Sequence, residues 1–196
     1  SMLKIEPINT SGRFDDHHRQ ISLHRLIKAI QPIAGIGALM IESNASFGPI
    51  EFDYYPVGSG SDWFTKWMPG YPAPRQGYKI HISARAEDAE IVARNVLPRL
   101  RQLRVAHKVV RNLDRYRQQL AGPQRGKFIT IYTKDAPHAQ QVLNAINPEL
   151  QQLRQFGGIQ PGPSPTTRES HHQNTEIPVG GSGLIWTRWY EEGDQD

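Results

Sequence analysis

Lys79 and His81 stand two residues apart in the run Gln76-Gly-Tyr-Lys-Ile-His-Ile82. Alternate side chains of a strand share a face, so Ile80 and Ile82 would turn toward a core while Lys79, His81 and Ser83 turn away from it together. A cation beside a titratable imidazole on a rigid strand suits an anion that also needs a proton. The same spacing fits a half-exposed edge strand with polar residues outside, and these residues alone leave both readings open.

The elements that would position this pair follow it in the chain. Ala89, Val92, Val96, Leu97, Leu100 and Leu103 recur at helical spacing, with acids near the start and Arg99, Arg101 and Arg104 near the end. Pro98 interrupts that pattern and predicts a kink or a split. Val105–Val110 is short and β-branched and reads as a strand carrying Lys108. Leu113, Tyr116 and Leu120 mark a short helix closed by Gly122-Pro123. Lys127–Tyr132 is the clearest strand. Asp135, with Pro137 behind it, opens a helix through about Leu153, with Pro148 a bend or break. The order strand, helix, strand, helix, strand, helix predicts a single α+β domain, a twisted mixed or antiparallel sheet with flanking helices.

Four blocks resemble the lyase domain of class III and IV lanthipeptide synthetases and, in looser form, the bacterial effector phosphothreonine lyases. They are Gly77-Tyr-Lys-Ile-His-Ile-Ser83, the strand containing Lys108, Gly126-Lys-Phe-Ile-Thr-Ile-Tyr132, and the tail Gly181-Ser-Gly-Leu-Ile-Trp-Thr-Arg188-Trp-Tyr190. The resemblance spans roughly residues 72–190 and implies β-elimination of phosphate from phosphoserine or phosphothreonine, with no metal or organic cofactor. It further implies Lys108 as the base for the Cα proton, His81 as the acid for the leaving oxygen, and Lys79 as support for the enolate. Arg188 and Tyr132 match phosphate-binding positions. Arg125 and Lys127 both qualify as a further phosphate ligand, and Arg168 is placed to assist.

The chemistry fits those types. A lysine acts as a base only when neutral, which clustered cations and partial burial favour. An arginine can grip phosphate through two parallel hydrogen bonds, as a lysine cannot. Two rival readings use the same residues. His81-Ile-Ser83 fits the His-x-Ser/Thr element of two-histidine phosphoesterases, but none of the other seven histidines is followed two places on by Ser or Thr. A non-catalytic domain that binds phosphopeptide or leader peptide would use the same cations without turnover.

Composition bounds the rest. The chain has 196 residues, 23 Lys+Arg against 19 Asp+Glu and a net charge of +4, a mild excess suited to a phosphorylated partner. The middle arginines read as solvated helix faces, and no nucleic-acid partner is expected. Cysteine is absent, so disulfides, thiolate metal sites and cysteine nucleophiles are excluded. No run approaches a membrane span and no secretory signal is visible, so the expected setting is cytoplasmic, or a host cell for an effector. The pairs His17-His18 and His171-His172 lack a carboxylate spacing to complete a metal site. No glycine-rich nucleotide loop or kinase motif occurs. Phosphate would be installed by a separate kinase, or by a kinase domain from which this chain is excised.

The expected organisation is an N-terminal segment, residues 1–75, packed on a lyase core, residues 76–196, with a long loop at 157–183. Leu23, Leu26, Ile27 and Ile30 predict an amphipathic helix over about 19–31. Ile50–Tyr55 alternates like a strand. Trp63, Phe64, Trp67 and Tyr71 line a peptide groove or pack beneath an irregular loop. The Gly-, Pro- and Ser-rich 157–183 is either a functional loop near the substrate or a disordered connector.

Overall fold

In the computed structural model, Gly77–Ile82 forms the strand β3, and it is no edge strand: every one of its six residues is buried. The model describes residues 43–58, 63–166 and 175–192, so the helix expected over 19–31 lies outside the described residues, as do both histidine pairs and Arg168. Seven strands of the described residues make one sheet: β1 (Tyr54–Pro56), β2 (Phe64–Trp67), β3, β4 (Ala106–Val110), β5 (Ile129–Thr133), β6 (Ile177–Val179) and β7 (Ile185–Tyr190). Their spatial order is β1-β2-β4-β5-β3-β7-β6, and every neighbouring pair runs antiparallel. The two strands before residue 76 are therefore part of the same sheet as the rest.

Among the described residues, three α-helices complete the α+β fold: α1 (Ala89–Gln102), α2 (Leu113–Gln119) and α3 (Ala136–Gly157). α1 and α3 pack together, and α3 lies on β3 and β5. Ile80, Ile82, Ile129 and Ile131 meet Val92, Val96, Leu143, Ile146 and Leu150 in one core. Each fully buried aliphatic side chain there contributes about 1.5–3 kcal/mol. Asp135 caps α3 by accepting from the His138 amide at 2.8 Å, and Asn112 caps α2 in the same way at 2.9 Å.

Three local expectations are corrected. Pro98 and Pro148 lie inside α1 and α3, which continue through them, so the split at Pro98 and the break at Pro148 do not occur. A proline removes only one backbone bond, and the apolar stripes on both sides stay in register with the core, so packing offsets the loss. Ile50–Phe52 is a 3-10 turn, and the strand begins only at Tyr54. Asp53 between them is left-handed at φ 70°, a conformation that ends an extended run. Phe64–Trp67 is a strand, with Trp67 buried, where an irregular loop or groove was expected.

Two features anchor the ends of β3 and β7. A Cβ on Gly77 would stand 1.7 Å from the Thr133 carbonyl oxygen, so only glycine lets β3 start against β5. At the other side, the turn between β6 and β7 is held by α3: Asn147 and Gln151 donate to the Gly180 carbonyl, and Arg154 donates to that of Ser182. Residues 158–166 also run along the end of β3, where the Gly162 amide donates to Ser83 and the Ser83 hydroxyl donates to Pro163. Within 157–183, these residues and β6 are thus fixed to the core.

Candidate active site

The helices cover one side of the sheet, and the Lys and Arg candidates on β3, β4 and β7 line the other together with His81. Facing residues of an antiparallel pair share a side, so strand register alone assembles the site. One row reads Tyr55, Lys66, Lys108, Thr130, His81, Trp186 and Pro178 across all seven strands. The next row reads Ala106, Tyr132, Lys79 and Arg188. Lys79, His81 and Arg188 are buried; Lys66, Lys108, Tyr132 and Trp186 are half-buried at the rim. Lys108 and His81 sit two strands apart with the short Thr130 between them, so their longer side chains can meet above it.

Aromatic rings steer the ammonium groups. Lys108 Nζ lies 4.4 Å from the centre of the Phe64 ring, and Lys79 Nζ lies 5.3 and 5.6 Å from those of Tyr190 and Tyr132. Tyr132 packs edge-on against both Tyr71 and Tyr190, and Tyr190 donates to the Pro74 carbonyl at 2.7 Å. Burial pushes the phenols of Tyr71 and Tyr190 well above their ordinary value. They stay neutral and act as wall and hydrogen-bonding groups rather than bases.

The residue that sequence reasoning missed is Glu176. Its Oε1 lies 2.7 Å from His81 Nδ1 and 3.7 Å from Arg188 Nε, and all three side chains are almost wholly buried. A carboxylate only accepts hydrogen bonds, so the ring donates from Nδ1 and its Nε2 faces away from Glu176. Arg188 is set by this carboxylate and by donation from Nη1 to the Trp189 carbonyl at 3.0 Å. Glu176 sits one residue before β6, where Pro178 faces Trp186. A lone carboxylate in a segment without periodicity carries no signal of its own; the register of β6 is the signal, and that needs the structure.

Two further candidates precede β5. Arg125 is exposed on the turn ahead of β5, and Lys127 is buried with its carbonyl held by Gln119. Both precede β5 and belong to neither row. Among the described residues no group of three metal-ligating side chains is assembled, and no helix is long and apolar enough to cross a membrane.

Comparison with known proteins adds the following. No curated protein matches the chain. Among solved structures, it is similar to the type III effector and phosphothreonine lyase OspF from Shigella flexneri, at TM-score 0.43 and 17% identity over 69% of each chain. It is similar to the Chromobacterium violaceum phosphothreonine lyase effector VirA (SpvC) at TM-score 0.44 and 14% identity, over 90% of this chain and 86% of that one. A further phosphothreonine lyase matches at TM-score 0.48 and 14% identity, over 92% and 88%. The model of the RamC N-terminal domain matches residues 51–157, more than half of the sequence, and the chain belongs to that family.

Proposed function

We propose that the chain is a phosphoserine/phosphothreonine lyase that removes phosphate from a peptide to leave dehydroalanine or dehydrobutyrine. The observation that carries the reading is the single register row placing Lys108 and His81 on either side of Thr130, with Lys79 and Arg188 in the next row. A base, an acid and two cations then share one face of a rigid sheet.

In this reading neutral Lys108 Nζ takes the Cα proton, and the electron pair moves into the carbonyl as an enolate that the Lys79 ammonium stabilises. As the pair returns, the Cα–Cβ double bond forms and the Cβ–O bond breaks. His81 gives its Nε2 proton to the departing oxygen while Glu176 holds Nδ1. Phosphate leaves on Arg188, whose fork suits two of its oxygens. One proton has gone to Lys108 and one has left His81, so the pair must exchange protons with solvent before the next turnover. Tyr132 lines the phosphate side beside Lys79; Arg125, Lys127 and Arg168 remain candidate phosphate ligands from the sequence.

The family and the resemblance of four sequence blocks to synthetase lyase domains support a place in lanthipeptide-type biosynthesis, with phosphate installed by a kinase. Elimination from a phosphorylated signalling protein is the other setting the same chemistry would serve. Mass spectrometry of phosphothreonine and phosphoserine peptides, incubated with the protein and chelator, tests the core claim. Loss of phosphoric acid is expected. Loss of HPO3 alone, leaving a free hydroxyl, would mean a phosphatase. Tight binding with no mass change would leave a phosphopeptide-binding module.

A further inference from the structure

The row that holds Lys108 and His81 contains two more polar groups whose work is unassigned. Thr130 and Trp186 are the cross-strand neighbours of His81, one on each side, in β5 and β7. Thr130 is completely buried, and among the described residues neither its Oγ1 nor Trp186 Nε1 has a hydrogen-bond partner. A hydroxyl or indole N–H withheld from both protein and solvent is costly, and folded proteins pair nearly all such groups. Of the other buried hydroxyls without a partner, Thr65 and Thr187 stand on the helix side of the sheet. Thr130 and Trp186 instead share their side with Lys79, Lys108 and Arg188.

We propose that Thr130 Oγ1 and Trp186 Nε1 are a donor pair that binds the phosphate oxygens beside His81, completing the anion site that Arg188 and Lys79 begin. The indole can only donate, so its partner must be an acceptor. His81 and its two neighbours cover two strand spacings, about 10 Å. A phosphate with a hydrogen bond of about 2.8 Å at either end spans most of that width. Ligand charge agrees: the adjacent row supplies two cations, and the carboxylate of Glu176 is engaged by His81 and Arg188. The pair would thus tell a phosphorylated side chain from a free hydroxyl by two neutral donors in addition to charge. This rests on the proposed lyase site, but concerns binding of the anion and not the elimination.

Titration of the full chain with inorganic phosphate, and separately with phosphorylated and unphosphorylated peptide, tests it. Thr130→Val keeps the shape and deletes the donor; Trp186→Phe keeps a ring and deletes the N–H. Each is expected to weaken phosphate and phosphopeptide binding about tenfold, leaving the unphosphorylated peptide unaffected. Unliganded Thr130→Val should resist urea at least as well as the wild type, because it removes an unpartnered hydroxyl; a structural hydrogen bond would give the opposite. Should Thr130→Val fail to fold, Thr130→Ser, which restores the hydroxyl, must bind phosphate like the wild type. Wild-type affinity in both donor-deleted variants, or weak binding by Thr130→Ser, overturns the proposal. If phosphate binding depends on both donors but no phosphopeptide loses phosphoric acid, the lyase reading falls and the donor pair stands. Elimination by the wild type with phosphate affinity unmoved in both variants gives the reverse.

Discussion

The sheet carries a fully buried histidine on each side, and the two are held in opposite ways. His107 faces the helices: its Nδ1 donates to the Val105 carbonyl at 2.8 Å, and its Nε2 accepts from the Tyr54 hydroxyl at 2.7 Å. Trp67 stacks on it, and Arg101 donates to Tyr54. Burial is the main reason its pKa falls to about 4, with Arg101 acting in the same direction against the Val105 bond. His81 is buried as deeply, yet its partner is a carboxylate and its neighbours are Lys79, Arg188 and two unpartnered donors. Burial therefore does not distinguish a working histidine from a structural one. The partner does: neutral groups fill both nitrogens of His107, whereas a buried carboxylate, Glu176, holds Nδ1 of His81.

The largest expected effect breaks the contrast at the base. Lys108→Ala should leave phosphopeptide affinity nearly intact and cut elimination by about 10²–10⁴-fold, the usual worth of a positioned general base. His107→Gln on the other side should leave turnover per folded molecule close to that of the wild type. Mass-spectrometric rates beside binding titrations read both. A loss of affinity in Lys108→Ala equal to its loss of rate would make this lysine a binding group.

His107 has its own signature in stability. The unfolded ring binds a proton near 6.5 and the native one only near about 4. Between those values the unfolded state holds more protons, so stability is complete above 6.5 and falls as the pH drops toward 4. Integrated over that window the loss is about 3 kcal/mol. His138, held below its ordinary range mainly by partial burial, acts in the same sense. The share of His107 is therefore the difference in urea-unfolding slope between wild type and His107→Gln from pH 7 to 4.5. Equal slopes would mean that His107 takes up its proton in the native state without penalty.

Glu176→Gln sharpens the comparison by making His81 resemble His107, since it keeps an acceptor but removes the charge. A hydrogen bond to a charged group contributes about 1.5–3 kcal/mol, so elimination should slow by roughly 10–100-fold with little change in stability at neutral pH. The pH–rate profile should move as well, because the imidazole loses the negative charge that favours its protonated form. An unmoved profile with a lower rate would reduce Glu176 to a packing role.

Why Lys79, His81, Lys108 and Arg188 were legible in sequence, and Glu176 was not, follows from periodicity. Each of the four lies in a short strand whose alternation with Ile, Val or Trp assigns a side without knowledge of neighbours. Glu176 acts from the start of a three-residue strand inside a Gly- and Pro-rich stretch, and only the pairing of β6 with β7 aims it at His81. The helices were readable for the same reason as the strands, apart from the two prolines they absorb. The Ile50–Tyr55 alternation misled because Asp53 turns left-handed, a choice that a residue's type permits but does not announce. Register across strands, which places Thr130 and Trp186 beside His81, is long-range information that no local pattern contains.

The smallest expected effect concerns how the site grips its anion. Arg188 touches Glu176 through Nε and the Trp189 carbonyl through Nη1. Lysine at this position keeps the charge and loses the planar fork, so Arg188→Lys should weaken phosphopeptide binding by roughly 1–3 kcal/mol if two charge-assisted bonds become one. The same replacement at Arg101, on the helix side, should touch only stability, through Tyr54 and His107. Titrating both variants in a Lys108→Ala background keeps the substrate intact. The phosphorylated peptide should lose affinity in Arg188→Lys while the unphosphorylated one does not, and Arg101→Lys should change neither. Preserved discrimination between the two peptides in Arg188→Lys would remove this arginine from the anion site and leave Lys79, Thr130 and Trp186 to hold the phosphate.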